Sequence, residues 1–259
     1  MIGWDSPATA AAYERFCRRY SRYRRANEVL AREAEVRPGL DVLDFGAGTG
    51  RTASAILRRL SPGGSVVCVE PAAAMRAAGM RRLRDPRIAW RADLPETPAA
   101  FDRVLVGAGI WQLDPLDAWL RRLVALVRPG GALGFDVPAL YLGEPDEPGA
   151  GADPTLLELV GLLASDRPAP SGEASWRLDA AGVEAALRAA GLEPRAWTFR
   201  HRLSQAAHAR WLSIPVVTDG LLPDLDARER DRRIEEALAR VDANSFRWER
   251  WRGWTAWKH

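Results

Sequence analysis

The stretch Val42-Leu43-Asp44-Phe45-Gly46-Ala47-Gly48-Thr49-Gly50 decides the fold. Apolar residues run into an acid, three glycines alternate with small residues, and a helical pattern begins at Thr52. That order predicts a buried strand, a tight glycine turn and the start of a helix. Glycine is needed where the backbone takes positive φ or passes close to a ligand. The helix N-terminus just beyond turns free N–H groups toward whatever binds there.

Two kinds of ligand use such a turn. A dinucleotide site wants G-x-G-x-x-G, so that a pyrophosphate sits on the helix N-terminus. Here the third glycine of that pattern would fall on Arg51, and Asp44, two residues before the first glycine, would repel a pyrophosphate. Asp44 suits a ligand with a positive end, such as the amino group and sulfonium of S-adenosylmethionine. The segment resembles motif I, in its D-x-G-x-G-x-G form, of the class I (Rossmann-like) S-adenosylmethionine-dependent methyltransferases. The resemblance implies cofactor contacts at Asp44, Gly46, Ala47, Gly48 and Gly50.

Outward from the turn, Val66 to Val69 reads as strand 2 and ends in Glu70, twenty residues past Gly50. An acid there is placed for two ribose hydroxyls, since one carboxylate accepts both protons. The resemblance further implies Pro71 and Met75 beside the adenine, with Asp93 and Leu94 meeting its amino group and ring. Phe101 to Val106 is strand 4 and ends at Gly107, where the topological switch point of an open parallel sheet faces the ligand. Trp111 and Gln112 follow as candidate substrate contacts. The Asn/Asp-Pro-Pro-aromatic motif that base-methylating enzymes place here is absent, which argues against a flipped nucleobase. Val127-Arg128-Pro129-Gly130-Gly131 resembles the turn before strand 5, read at 132–137. The expected fold is therefore α/β: a doubly wound seven-stranded sheet of order 3-2-1-4-5-7-6, strand 7 antiparallel.

Residues 7–36 read as one helix, with Ser6 as N-cap and Pro7 in the first turn. Tyr13, Phe16, Tyr20 and Tyr23 share one face of it. Such a face either packs on the core or closes over a sulfonium, for which aromatic rings are suited. We expect residues 1–36 to form a helical cap on a domain of residues 37–259, with cap insertions at about 138–175 and 201–245. The first insertion is rich in Pro, Gly and acids and holds one apolar, helix-like run, Leu156 to Leu163. Residues 204–214 read as a helix carrying His208 and Trp211, ended by Pro215 and Asp219-Gly220. Residues 226–241 read as a charged helix. Strand 6 is expected at 193–200. Trp248, Trp251, Trp254 and Trp257 fall on a strand 7 that could bulge at Gly253.

The chain has 259 residues, 47% hydrophobic and 27% charged, in line with one large soluble domain or a domain with an inserted cap. The net charge is +3, and all basic residues but Lys258 are arginine, interspersed with acids, so no polyanionic partner is implied. No apolar run approaches the roughly 18 residues of a membrane span. Cys17 and Cys68 lack metal-ligand spacing, and no signal peptide is read, so a cytoplasmic bacterial protein with reduced thiols and no metal is expected. The expected state is a monomer or homodimer. The expected function is methyl transfer from S-adenosylmethionine to an O, N or C atom of a small metabolite. Tyr13, Phe16, Tyr20, Trp111, Gln112 and Trp211 are the candidate substrate contacts, and His208 and Tyr20 the candidate catalytic groups. The alternatives are a non-methylating reaction on the same scaffold, such as intramolecular cyclisation, and a non-catalytic binding protein.

Overall fold

The computed structural model describes residues 3–61, 63–144, 146–148, 178–242 and 245–259. The apolar run at 156–163 lies outside these residues. Two helices, α1 (Pro7–Arg19) and α2 (Arg22–Glu33), lead into β1 (Asp41–Phe45). Then come α3 (Arg51–Leu60), β2 (Ser65–Val69), α4 (Ala73–Arg82), β3 (Ile88–Arg91), β4 (Phe101–Val106), α5 (Leu116–Leu126) and β5 (Val127–Pro138). After the short β6 (Glu147–Pro148) come α6 (Ala180–Ala189), β7 (Leu192–Ser204), α7 (Gln205–Leu212), α8 (Pro215–Leu221), α9 (Ala227–Ala239) and β8 (Phe246–Lys258).

The strands lie in the order β3-β2-β1-β4-β5-β8, with β7 on the far edge of β8 and β6 extending the β5 side. This is the expected 3-2-1-4-5-7-6 sheet, with β8 antiparallel to both β5 and β7. Its core splits by the two-residue period of the strands. Val42 and Leu105 turn toward Leu30, Ala34, Ile56 and Leu60 of α2 and α3. Leu43, Phe45, Leu133 and Phe135 turn the other way, toward Leu120 and Leu123 of α5 and Val183 and Leu187 of α6.

Three local features differ from the sequence reading. The single helix expected over 7–36 breaks at Tyr20, which takes extended backbone angles (φ −118°, ψ 142°). The break lets α2 lie along α3 and the sheet while α1 crosses toward α4, α7 and α8. Pro215 opens α8 instead of ending a helix, in keeping with its fixed φ at a first turn. The register of β8 runs unbroken through Gly253 against both neighbours, so there is no bulge there. Gly253 is small because the Trp197 indole lies over it, where a Cβ would collide with the ring. A spacing of three on a strand alternates faces, and Trp251 and Trp254 are accordingly both fully buried but in different core clusters.

Candidate cofactor site

The glycine turn at the end of β1 has all three glycines in left-handed conformation, with φ of 68° at Gly46, 56° at Gly48 and 77° at Gly50. A side chain at any of them would be strained, which explains their alternation in the sequence. The Ala47 N–H donates to the Val69 carbonyl at 3.0 Å, pinning the turn to β2. Behind it Asp44 is fully buried, and among the described residues neither carboxylate oxygen meets a hydrogen-bond donor. Burial pushes its pKa up to about 8, reinforced by the Glu70 carboxylate and opposed by the Ala53 N–H, which lies toward the carboxylate without closing a hydrogen bond.

Glu70, at the end of β2, holds the turn from the other side. One oxygen accepts from the Gly48 N–H at 2.7 Å and the other from the Ala72 N–H at 2.8 Å. Burial raises its pKa, and these two backbone donors counter the shift. An ionised carboxylate has about four acceptor positions, so each oxygen keeps one for a ligand. Met75, buried on α4, packs on the turn, its Cε 3.4 Å from where a Gly48 side chain would begin. Pro71, Asp93 and Leu94 line an open cleft of about 570 Å³ together with Phe45 and Trp119. Gly107, at the end of β4, faces the Thr52 hydroxyl and the Asn27 amide oxygen, and a Cβ would collide with the former. Thr52 donates to Asn27 at 3.1 Å.

α1 is tied to this turn. Glu14 accepts from the Thr49 hydroxyl and, at 2.6 and 3.1 Å, from the Arg51 guanidinium. Asp5 accepts from the Ala74 N–H at 3.0 Å, at the start of α4. Tyr13, Phe16 and Tyr20 join Tyr23, Trp211, Trp251 and Ala108 in one aromatic cluster. The Trp211 indole donates to the Tyr23 hydroxyl at 2.8 Å, tying α7 to α2. His208 is buried and stacked on Trp211 at 6.0 Å, and among the described residues neither ring nitrogen meets a partner. Burial, with Arg247 and Arg22 nearby, holds its pKa well below the usual histidine value, so the imidazole is neutral. Trp111 and Gln112 are not in this cluster. Trp111 stacks on Tyr141 at 4.3 Å beside the α5 core, and Gln112 is exposed.

Several residues around the site escaped the sequence reading. Arg22 and Glu249 form a buried bidentate pair with contacts of 2.5 to 3.0 Å, capped by the Trp251 indole donating to Glu249 at 2.8 Å. Nothing local connects residues 227 positions apart. Asp136 is fully buried on β5 and accepts from the Ala108 N–H at 2.8 Å. An acid inside the apolar strand Gly134-Phe135-Asp136-Val137 is a signal that could have found it.

Residues 43–133 match the family model described as a methyltransferase domain. The chain is 36% identical over 106 residues to the ubiquinone/menaquinone biosynthesis C-methyltransferase UbiE of Bordetella parapertussis, covering 39% of this chain and 41% of the relative. It is 32% identical over 125 residues to trans-aconitate 2-methyltransferase of Deinococcus radiodurans, covering 46% and 48%. The chain thus spans less than half the length of these curated relatives. Among solved structures, the YcgJ protein of Bacillus subtilis superposes with a TM-score of 0.57 at 14% identity, over 91% of this chain and 99% of that one. That likeness concerns the fold. Residues 43–133 are thus similar to a methyltransferase domain, and the strand order with β8 antiparallel is the one expected of the class I, Rossmann-like form. Among the described residues no helix is long and apolar enough to cross a membrane.

Proposed function

We propose that the protein binds S-adenosylmethionine at the glycine turn and transfers its methyl group to an O, N or C atom of a small molecule. The observation that carries this reading is Asp44, a buried carboxylate with two oxygens that meet no donor, beside a turn whose three glycines leave the backbone open. A buried carboxylate without a cation is costly, and a ligand bearing an ammonium and a sulfonium would relieve that cost. Glu70 has acceptor capacity left for two hydroxyls, and Pro71, Met75, Asp93 and Leu94 offer an apolar and hydrogen-bonding edge for a purine. The residues present therefore fit the group.

S-adenosylmethionine, when bound, supplies an electrophilic methyl on a sulfonium whose leaving group is a neutral thioether. The chain's part is to position and desolvate, because such a displacement needs no acid for the leaving group. In this reading α1 and α7 roof the site, Tyr13, Phe16, Tyr20 and Trp211 exclude water, and Trp111 and Gln112 lie at its rim. His208, stacked on Trp211, and Tyr20, in the same aromatic cluster as Trp211, are the candidate groups for an acceptor that must lose a proton, with the buried imidazole a weak base.

Calorimetry tests the cofactor: S-adenosylmethionine and S-adenosylhomocysteine should bind and NAD should not. Mass spectrometry with methyl-labelled cofactor tests the reaction. Label in a product supports transfer. Methylthioadenosine without labelled product would replace this reading with cyclisation or cleavage, and unchanged cofactor with every acceptor class would leave a binding protein.

A further inference from the structure

Among the described residues only two carboxylates have buried oxygens that meet no donor: Asp44, and Asp136 through its Oδ2. The sheet places them in a defined relation. Asp44 pairs across β1 and β4 with Leu105, and Leu105 pairs across β4 and β5 with Gly134. Asp136 is two residues further along β5 and therefore on the same face as Gly134. That face is the one under α2 and α3, since Gly134 looks onto Leu30, Ala34 and Leu105. Two strand spacings and one residue pair separate the two acids, about 12 Å between Cα atoms on ideal sheet dimensions. Both stand at the C-terminal ends of their strands, on either side of the end of β4, where an open sheet of this kind binds its ligands.

Among the described residues nothing charged on the neighbouring elements serves Asp136. Arg22 on α2 is taken by Glu249, and Arg252 on β8 by Glu144 at 2.6 Å. Arg103 on β4 donates to the Ala34 and Asp102 carbonyls. What holds Asp136 is the Ala108 N–H, on a residue that itself carries an unusual φ of 49°. An alanine in the left-handed region costs about 1 kcal/mol, so the loop after β4 is shaped against its own preference to present that N–H. Burial pushes the Asp136 carboxyl up to about 7. A carboxyl in this state needs either a proton or a cationic ligand.

We infer that Asp136 is a second carboxylate of the cofactor site, whose free oxygen faces the positively charged ammonium and sulfonium end of S-adenosylmethionine. The inference rests on the proposed cofactor. It differs from a purely structural role, in which Asp136 only fixes the Ala108 loop, by requiring the negative charge. The two acids then face the ligand's two positive centres, its own α-carboxylate has to lie away from both, and Glu70 and the 93–94 edge are left to the nucleoside.

Asp136→Asn separates the two roles, because the amide keeps an acceptor for Ala108 and loses the charge. Isothermal calorimetry on the full chain should show S-adenosylmethionine binding weakened by about 10- to 100-fold, the range for losing a hydrogen bond to a charged group. Methylthioadenosine, with a neutral sulfur and no ammonium, should change by less than about threefold on the same grounds. Equal losses for both ligands, or no loss for either, overturn the inference. A wild-type protein that binds neither ligand sinks the cofactor reading itself, whereas wild-type binding with an unchanged variant sinks only the role of Asp136. Should the variant not fold, proton release carries the test, measured in Glu70→Gln so that Glu70, itself raised by burial, cannot contribute. The binding heat near pH 6.5, measured in buffers of different ionisation enthalpy, reports the protons released on binding S-adenosylmethionine. Ionisation of Asp44 alone then caps that release at about one, so more is expected, and a release of one or fewer overturns the assignment.

Discussion

Glu70 accepts the Gly48 N–H at 2.7 Å, so the acid expected to hold a ribose also holds the glycine turn. Its second oxygen holds the first turn of α4 through Ala72. The residue is thus a brace between motif I and the helix beside it, and its effect on a ligand cannot be separated from its effect on the turn by deletion alone. Glu70→Ala should weaken S-adenosylmethionine binding by about 1.5–3 kcal/mol and also lower the unfolding midpoint, because two backbone donors lose a charged acceptor. Glu70→Gln keeps one acceptor and should recover much of the stability but little of the affinity. Calorimetry and thermal melts on both variants check this. Equal affinity in the wild type and Glu70→Gln would show that charge at Glu70 has no part in binding.

Asp44 carries a pH prediction whose sign follows from linkage. Its carboxyl lies near 3.8 when exposed and is raised to about 8 in the fold, so the folded chain binds the proton more tightly between these values. The stability it contributes is present at low pH and lost as pH rises through about 8. Glu249, lowered by its Arg22 partner, and the lowered histidines act at more acidic pH with the opposite sign. The ligand-free protein should therefore lose stability from pH 7 to pH 9 in urea titrations. Asp44→Asn should flatten that slope, and saturating S-adenosylmethionine should remove it by making the ionised form the favoured one. A wild-type slope unchanged in Asp44→Asn would contradict the assignment.

Glu14 links α1 to the turn through Thr49 and Arg51, with Arg82 at 3.8 Å. Partly exposed ion pairs contribute only about 0.2–1 kcal/mol each, so Glu14→Gln should barely change global stability. It should loosen the roof. Hydrogen exchange over residues 7–19 is expected to speed up, and so is dissociation of S-adenosylhomocysteine measured by stopped flow. If exchange rises while ligand release does not, α1 moves without gating the site.

The parts of this molecule legible in its sequence are those fixed by local backbone chemistry. Gly46, Gly48 and Gly50 must be glycines because each takes positive φ, and Arg51–Leu60 is helical over the range its apolar spacing predicts. Pro129-Gly130-Gly131, read as part of a turn before a strand at 132–137, instead lies within β5, which starts at Val127 directly after α5. What was not legible depends on distant partners. No glycine or proline marks the break at Tyr20-Ser21, which exists because α1 and α2 pack against different layers. Gly253 read as a bulge because the Trp197 ring that fills its place lies far away in sequence. His208, Trp211 and Tyr23 meet across α7 and α2, and spacing within either helix says nothing of that contact.

The break between α1 and α2 decides how the roof is tested. A truncation through residue 24 would remove Arg22, whose Nη2 lies 2.5 Å from Glu249 in a pair with both side chains almost wholly buried. Removing one partner of such a pair leaves a buried charge without compensation and costs about 3–5 kcal/mol, a large share of a domain's stability. Loss of activity in that truncation would then report unfolding. Ending the deletion at Tyr20 spares the pair and the contact between Trp211 and Tyr23, while it removes Tyr13, Phe16 and the Glu14 link. The shorter truncation should keep the circular dichroism of the full chain and a single cooperative unfolding transition, at a somewhat lower midpoint because Phe16 no longer covers Tyr23 and Ile214. Its affinity for S-adenosylhomocysteine should fall about tenfold or more if α1 shields the site from water. The longer truncation should melt early and without cooperativity. Full affinity in the shorter truncation would make α1 a packing element, and the aromatic face of Tyr13, Phe16 and Tyr20 would lose its place in the substrate site.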